Sequence, residues 1–204
     1  VWTEGAEAPK EGTDALRMAF LAARFEFIAE AKIRERTFVE TNHRVTFFAP
    51  AIAELFRNAR FVHIHRHPYS YIKSAVRIGY FSGTYYDMGR ISPRPESHIN
   101  WPDYSQAQKS AWTWNETNSW IEAFKTRVPS DRFLTISADQ LFRDPSVLAA
   151  VEEFCGMEVD TPSSLRKAIS KPANRKKSRN AEPNITAETE SLRNLLPLAS
   201  LYGY

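Results

Sequence analysis

Apolar residues recur at helical spacing near the start of the chain. Leu16, Phe20, Ala23, Phe27 and Ala31 lie three or four apart, which predicts one long helix over residues 14–36. The next stretch, TFVET at 37–41, is rich in β-formers and reads as a short strand. Residues 45–58 read as helical, but Pro50 lacks an N–H and should kink that helix or shift its start. RFVHIH at 60–65 alternates like a strand, and Pro68 then opens a helix running to about Gly79. Residues 80–104 carry glycines, prolines and aromatics without periodicity and read as a long irregular loop, of the kind that is usually functional or disordered.

A helix follows over 105–127, carrying Trp112, Trp114, Trp120, Ile121 and Phe124. RFLTIS at 132–137 is the third strand candidate. Asp144-Pro145 starts another helix, which Gly156 ends. A basic loop comes next, then a last helix capped by Thr186 with Glu190 beyond it. Strands alternating with helices predict an α/β fold of three layers, with a central parallel sheet flanked by helices.

Composition narrows the class. The chain has 204 residues, 43% of them hydrophobic, enough for one domain with a substantial core over 1–204. No run of about 18 apolar residues occurs, so no transmembrane segment is expected, and the polar opening lacks the apolar core of a signal peptide. One cysteine, Cys155, rules out an internal disulfide framework and fits a reducing, cytoplasmic setting. A net charge of +3 gives no argument for a nucleic-acid partner, yet five basic residues fall between Lys171 and Arg179 without an acid among them. That run reads either as a solvated loop or as an anion-binding lid. Oligomeric state stays open.

The chemistry concentrates at residues 63–77, HIHRHPYSYIKSAVR. A strand ends at His65, Arg66 stands at its carboxyl end, and a helix begins at Pro68. Ligands of open α/β sheets bind at that edge, where a helix N-terminus offers unbonded N–H groups and the positive end of its dipole. Ser70, Ser74 and Arg77 follow at spacings of four and three, on one helical face. Arg66 supplies a planar fork suited to a phosphate, and a helix-borne serine adds a hydroxyl. The same pattern would also serve as an ordinary strand-to-helix turn with a surface arginine. His63, His65 and His67 share a period of two, which is compatible with a metal site or with stacked, satisfied imidazoles. No carboxylate partner pattern favours the metal.

The segment ERTFVETNHRVTFFAPAIAELFRNARFVHIHRHPYSYIKSAVR resembles the central part of the PAPS-dependent sulfotransferase superfamily (PAPS is 3′-phosphoadenosine 5′-phosphosulfate). In that family a strand leads into an Arg-x-Pro turn with a serine eight residues after the arginine, the spacing of Arg66 and Ser74. KSAWTWNETNSWIEAF, FLTISADQLFRDPSVLAAVEEFCGM and the terminal LYGY resemble later family segments in the same order. The likeness covers about residues 35–204.

The resemblance implies a sulfotransferase-type, P-loop-like fold and transfer of a sulfuryl group from PAPS to a hydroxyl or amine on a small-molecule or glycan acceptor, with no metal. It implies that Arg66 and Ser74 bind the 3′-phosphate, and that Arg175 and Lys176, from the basic loop, close over the nucleotide. Glu40 stands where many members keep an acid and is implied as the base that deprotonates the acceptor. As an acid at a strand end it would equally cap the next helix, and His43 is the nearest rival base. The aromatic loop at 80–104 is either an acceptor-binding lid or ordinary packing.

Departures accompany the likeness. Thr41 replaces a frequent lysine, and Ala138 stands in the place of a usual tyrosine. The family's N-terminal strand and phosphate loop, which cradle the 5′-phosphosulfate, have no counterpart before Asp14. The expectation is that the sequence begins downstream of them. Two other readings stay open: a PAP- or anion-binding scaffold without activity, and a nucleotide-dependent phosphotransferase. The second would need a Walker-type lysine and acidic magnesium ligands, which the sequence lacks.

Overall fold

A computed structural model of the chain describes residues 13–157 and 189–204. Helix α1 (Asp14–Ile33) buries Leu16 and Phe20 against a 3-10 segment, His43–Phe48, and the short helix α2 (Ala49–Leu55). Val45, Phe48 and Ala51 complete that cluster, with the Phe20 ring 6.5 Å from Phe48 and 6.4 Å from Phe56. The predicted apolar stripe is used only in its first half, since Phe27 is 60% exposed. Pro50 acts as its missing N–H requires. The predicted helix over 45–58 splits, and its α-helical part starts so that Pro50 falls in the first turn.

The stretch 37–41 is not a strand. Its β-forming residues have no neighbouring strand to bond to among the described residues, and propensity alone cannot supply a ladder. Side chains hold the segment instead, as described below for Glu40.

Strands β1 (Phe61–His65) and β2 (Phe133–Ser137) pair in parallel, with Phe61 opposite Phe133 and His65 opposite Ser137. The connection between them runs through helix α3 (Pro68–Ile78), the loop at 80–104 and helix α4 (Gln106–Lys125). The fold is therefore α/β with a parallel sheet, two-stranded among the described residues. Before β1, the Arg132 guanidinium donates to the carbonyls of Phe56 (3.0 Å) and Ala59 (2.9 Å) and lies over the Phe61 ring, tying the entry of one strand to the other.

Helix α3 starts at Pro68 and stops at Gly79, whose φ of +90° lies in the left-handed region that favours glycine. Helix α4 opens on a capping box, in which Ser105 accepts from the Gln108 N–H and Gln108 accepts from that of Ser105. Ala107, Ala111 and Trp114, at helical spacing, pack with Ile72 of α3 and with Leu192 and Leu196. Helix α5 (Ala138–Arg143) is not among the predicted elements, although Ser137 and Gln140 form a capping box for it. Helix α6 (Pro145–Phe154) starts at the expected Asp144 cap, and Gly156 follows it at φ +66°. Helix α7 (Thr189–Asn194) and a 3-10 turn, Pro197–Tyr202, bring Tyr204 back over the ends of the strands. The expected Thr186 cap lies outside the described residues. No described helix is long and apolar enough to cross a membrane.

Candidate functional site

Period-two alternation puts Phe61, His63 and His65 on the face of β1 that meets α4. Phe61 packs edge-on to Phe124 at 5.0 Å. His63 Nε2 lies 2.9 Å from Asn118 Oδ1. The amide nitrogen of Asn118 already donates to the Trp114 carbonyl (2.6 Å), so Oδ1 accepts and His63 carries its proton on Nε2. His63 Nδ1 is then buried without a partner among the described residues, and burial pushes the imidazole pKa down to about 4.

His65 stacks on Tyr202 at 4.3 Å, and its Nδ1 lies 3.0 Å from the Tyr204 hydroxyl. That hydroxyl is also 3.4 Å from Ser137 Oγ, so it touches the carboxyl ends of both strands. Tyr202 in turn donates to Glu122 at 2.9 Å. His67 packs against the Tyr204 ring at 4.8 Å. His63 and His65 are thus packing and hydrogen-bonding groups, and His67 is a packing one. Among the described residues no cluster of His, Cys, Asp and Glu would hold a metal ion.

This packing fixes the turn that carries Arg66. The Arg66 carbonyl accepts from Trp114 Nε1 at 3.0 Å, while its guanidinium is exposed and has no partner among the described residues. Among the described residues no side chain caps the first turn of α3, so its amide donors have no side-chain acceptor there. Ser74 is half-buried on the same helix, with Ser70 and Arg77 exposed on the same face. A fork, a hydroxyl and helix-start amides form a donor set that fits a phosphate dianion. Arg66 and Ser74 therefore share one strand–helix unit.

Glu40 lies elsewhere, against α1. Its Oε2 is 2.5 Å from Arg24 Nε, and its Oε1 accepts the Asn42 N–H at 3.0 Å. Asn42 caps the 3-10 segment by accepting from the Arg44 N–H at 3.0 Å. Both carboxylate oxygens of Glu40 are therefore engaged in shaping this segment. Three residues on, His43 has its pKa lowered by burial first, then by the charges of Arg44 and Arg90.

Arg90 is a residue that sequence pattern does not reveal. Its Nε donates to the Tyr86 carbonyl at 2.7 Å, and its guanidinium lies 3.1 Å from the centre of the Tyr80 ring. Its charge acts on His43 and also on Tyr71 of α3, a phenol that burial pushes up to about 12. The loop at 80–90 thereby approaches the Glu40–His43 segment and the helix bearing Ser74. No direct contact joins Glu40 to Arg66 or Ser74. Arg175 and Lys176 lie outside the described residues.

A family model described as the sulfotransferase family matches residues 2–161. No curated protein and no solved structure matches the chain.

Proposed function

The chain belongs to the sulfotransferase family, and from that membership we propose that it transfers a sulfuryl group from PAPS to a hydroxyl or amine acceptor. The observation that carries this reading is the Arg66 guanidinium, without a partner among the described residues, at the carboxyl end of β1 beside the start of α3. On this reading Arg66 grips the 3′-phosphate bidentately and Ser74 adds a hydroxyl donor. Arg175 and Lys176 add charge to the same nucleotide. The acceptor is a small molecule or a glycan.

Transfer requires the acceptor's oxygen or nitrogen to bond to sulfur while the sulfur–oxygen bond to the nucleotide's phosphate breaks. The acceptor's proton passes to a base on this chain. Glu40 is the first candidate, and its engagement with Arg24 orients the carboxylate as well as occupying it. His43 is favoured as a second candidate by one specific observation: burial and two nearby guanidiniums hold its imidazole in the neutral, basic form.

Calorimetric titration with PAP tests the reading. The wild-type protein is expected to bind, and Arg66→Ala to bind about tenfold or more weakly, as loss of a charge-assisted hydrogen bond implies. A wild-type protein that ignores PAP, or a variant that binds it equally well, defeats the proposal.

A further inference from the structure

The line of contacts between α4 and β1 runs on past the end of the strand. Along the buried face of β1, Phe61 meets Phe124 with ring centres 5.0 Å apart, and His63 meets Asn118 at 2.9 Å. The next contact along α4 is with backbone, where Trp114 Nε1 donates to the Arg66 carbonyl at 3.0 Å. Trp114 and Asn118 are one helical turn apart, and the Asn118 amide also donates to the Trp114 carbonyl at 2.6 Å. The indole itself is held on several sides. It is 4% exposed, packs with Ile72, Leu192 and Leu196, and stands edge-on to Tyr202 at 5.9 Å.

The turn that the indole reaches has little freedom apart from one peptide. Pro68 is buried and fixes its own φ, and it keeps His67 out of the helical region, at φ −49° and ψ 124°. His65 stacks on Tyr202, and His67 packs on the Tyr204 ring. The His67 carbonyl accepts the Tyr71 N–H at 3.0 Å and so belongs to the helix. What can still rotate is the peptide plane joining Arg66 to His67. That peptide is trans, so its carbonyl and its N–H point in opposite directions. With the carbonyl bonded to Trp114, the His67 N–H points away from the indole. A flip of the plane would reverse the two, and a carbonyl oxygen repels an anion where an N–H attracts one.

We propose that Trp114 is a positioning residue for the nucleotide's 3′-phosphate. Its indole N–H holds the Arg66–His67 peptide with the carbonyl drawn toward α4 and the N–H directed to the side where the phosphate binds. This deepens the sulfuryl-transfer reading and rests on it for the identity of the anion. Trp114 touches no nucleotide atom and acts through the backbone of Arg66, whose exposed side chain makes the contact.

Paired nucleotides test this. PAP and adenosine 5′-phosphate differ by the 3′-phosphate, so the ratio of their calorimetric Kd values isolates that group. The wild-type protein is expected to prefer PAP about tenfold or more. Trp114→Phe keeps an aromatic ring and removes the donor. It is expected to reduce the preference to about threefold or less, with the affinity for adenosine 5′-phosphate retained. Replacing Trp114 by 3-benzothienylalanine, which keeps the bicyclic shape without the N–H, is expected to do the same and leaves no cavity that could unfold the chain. Leu192→Val, in the same core cluster, is expected to lower Tm and leave the preference unchanged. In an Arg66→Ala background, Trp114→Phe is expected to change the preference by less than about twofold, because the two residues act through one contact. A preference that survives in the benzothienylalanine protein, an equal loss in Leu192→Val, or additive losses in the double variant overturns the inference and leaves the Arg66 reading standing. A wild-type protein without the preference defeats the nucleotide reading, and the inference with it.

Discussion

The carboxylate of Glu40 sits 2.5 Å from Arg24 Nε, joining the extended segment after α1 to the helix itself. One residue thus has two separable roles, a structural tie and a candidate base. Glu40→Gln is expected to retain PAP binding and to lower the turnover rate about a hundredfold or more, the usual contribution of a positioned general base. Arg24→Gln breaks the same tie but keeps the carboxylate. If Glu40 is only a tie, both variants lose similar thermal stability and similar activity. A large loss of turnover confined to Glu40→Gln identifies the base.

For His43 the sign of the pH effect is fixed by its neighbours. Burial and the charges of Arg44 and Arg90 disfavour the imidazolium, so the ring titrates below its ordinary value of 6.5. Removing the Arg90 charge raises that pKa. NMR titration of the His43 ring is expected to show a higher midpoint in Arg90→Gln than in the wild type. If His43 is the base, the acidic limb of kcat/KM moves to higher pH by the same amount. A limb that stays in place while the ring midpoint moves assigns the base to another group.

The legibility of this fold follows from how local each signal is. β1 could be read because alternation in FVHIH is a short-range pattern, and it correctly put His63 and His65 on one buried face. Helix α3 could be read because Pro68 and Gly79 mark its ends chemically. TFVET failed because a strand needs a partner, and no property of residues 37–41 says whether one is adjacent. Helix α5 had a visible signal, the Ser137–Gln140 capping box, masked by the strand that ends in its first member. Arg66 and Ser74 were legible as a spacing. The effect of Arg90 on His43 joins residues far apart along the chain, so it is a property of the folded loop and has no trace in local pattern.

Arg132 provides a test of how the two strands are held at their entry. Its guanidinium bonds to the Phe56 and Ala59 carbonyls and lies over Phe61, so one side chain joins α2, β1 and the start of β2. Arg132→Met keeps much of the apolar stem and removes both donors. The two carbonyls lose charge-assisted bonds worth about 1.5–3 kcal/mol each at most, and solvent recovers part of that. A net loss of about 2 kcal/mol corresponds to a fall in Tm of roughly 4–8 °C for a protein of this size. Calorimetric melting checks it, and an unchanged Tm would show that the clamp is incidental.

The buried His63 makes acid stability a direct reading of the α4–β1 contact. In the folded chain its pKa is lowered from 6.5 to about 4, by burial first, against the opposing bond from Asn118. Below 6.5 the unfolded chain takes up a proton that the folded chain refuses, so unfolding is favoured as the pH falls. The stability conferred by the neutral ring is fully present above pH 6.5 and is lost progressively down to about pH 4. A shift of this size amounts to about 3 kcal/mol over that interval. His63→Gln cannot titrate there. Urea unfolding at about pH 7 and about pH 4.5 is therefore expected to show a smaller difference for the variant than for the wild type, even if the variant is less stable at neutral pH. His65, also lowered by burial, contributes in the same direction and remains in both proteins, so the comparison isolates His63. An equal loss of stability in the two proteins would mean that the ring is hydrated or protonated within the fold, and that burial does not hold it neutral.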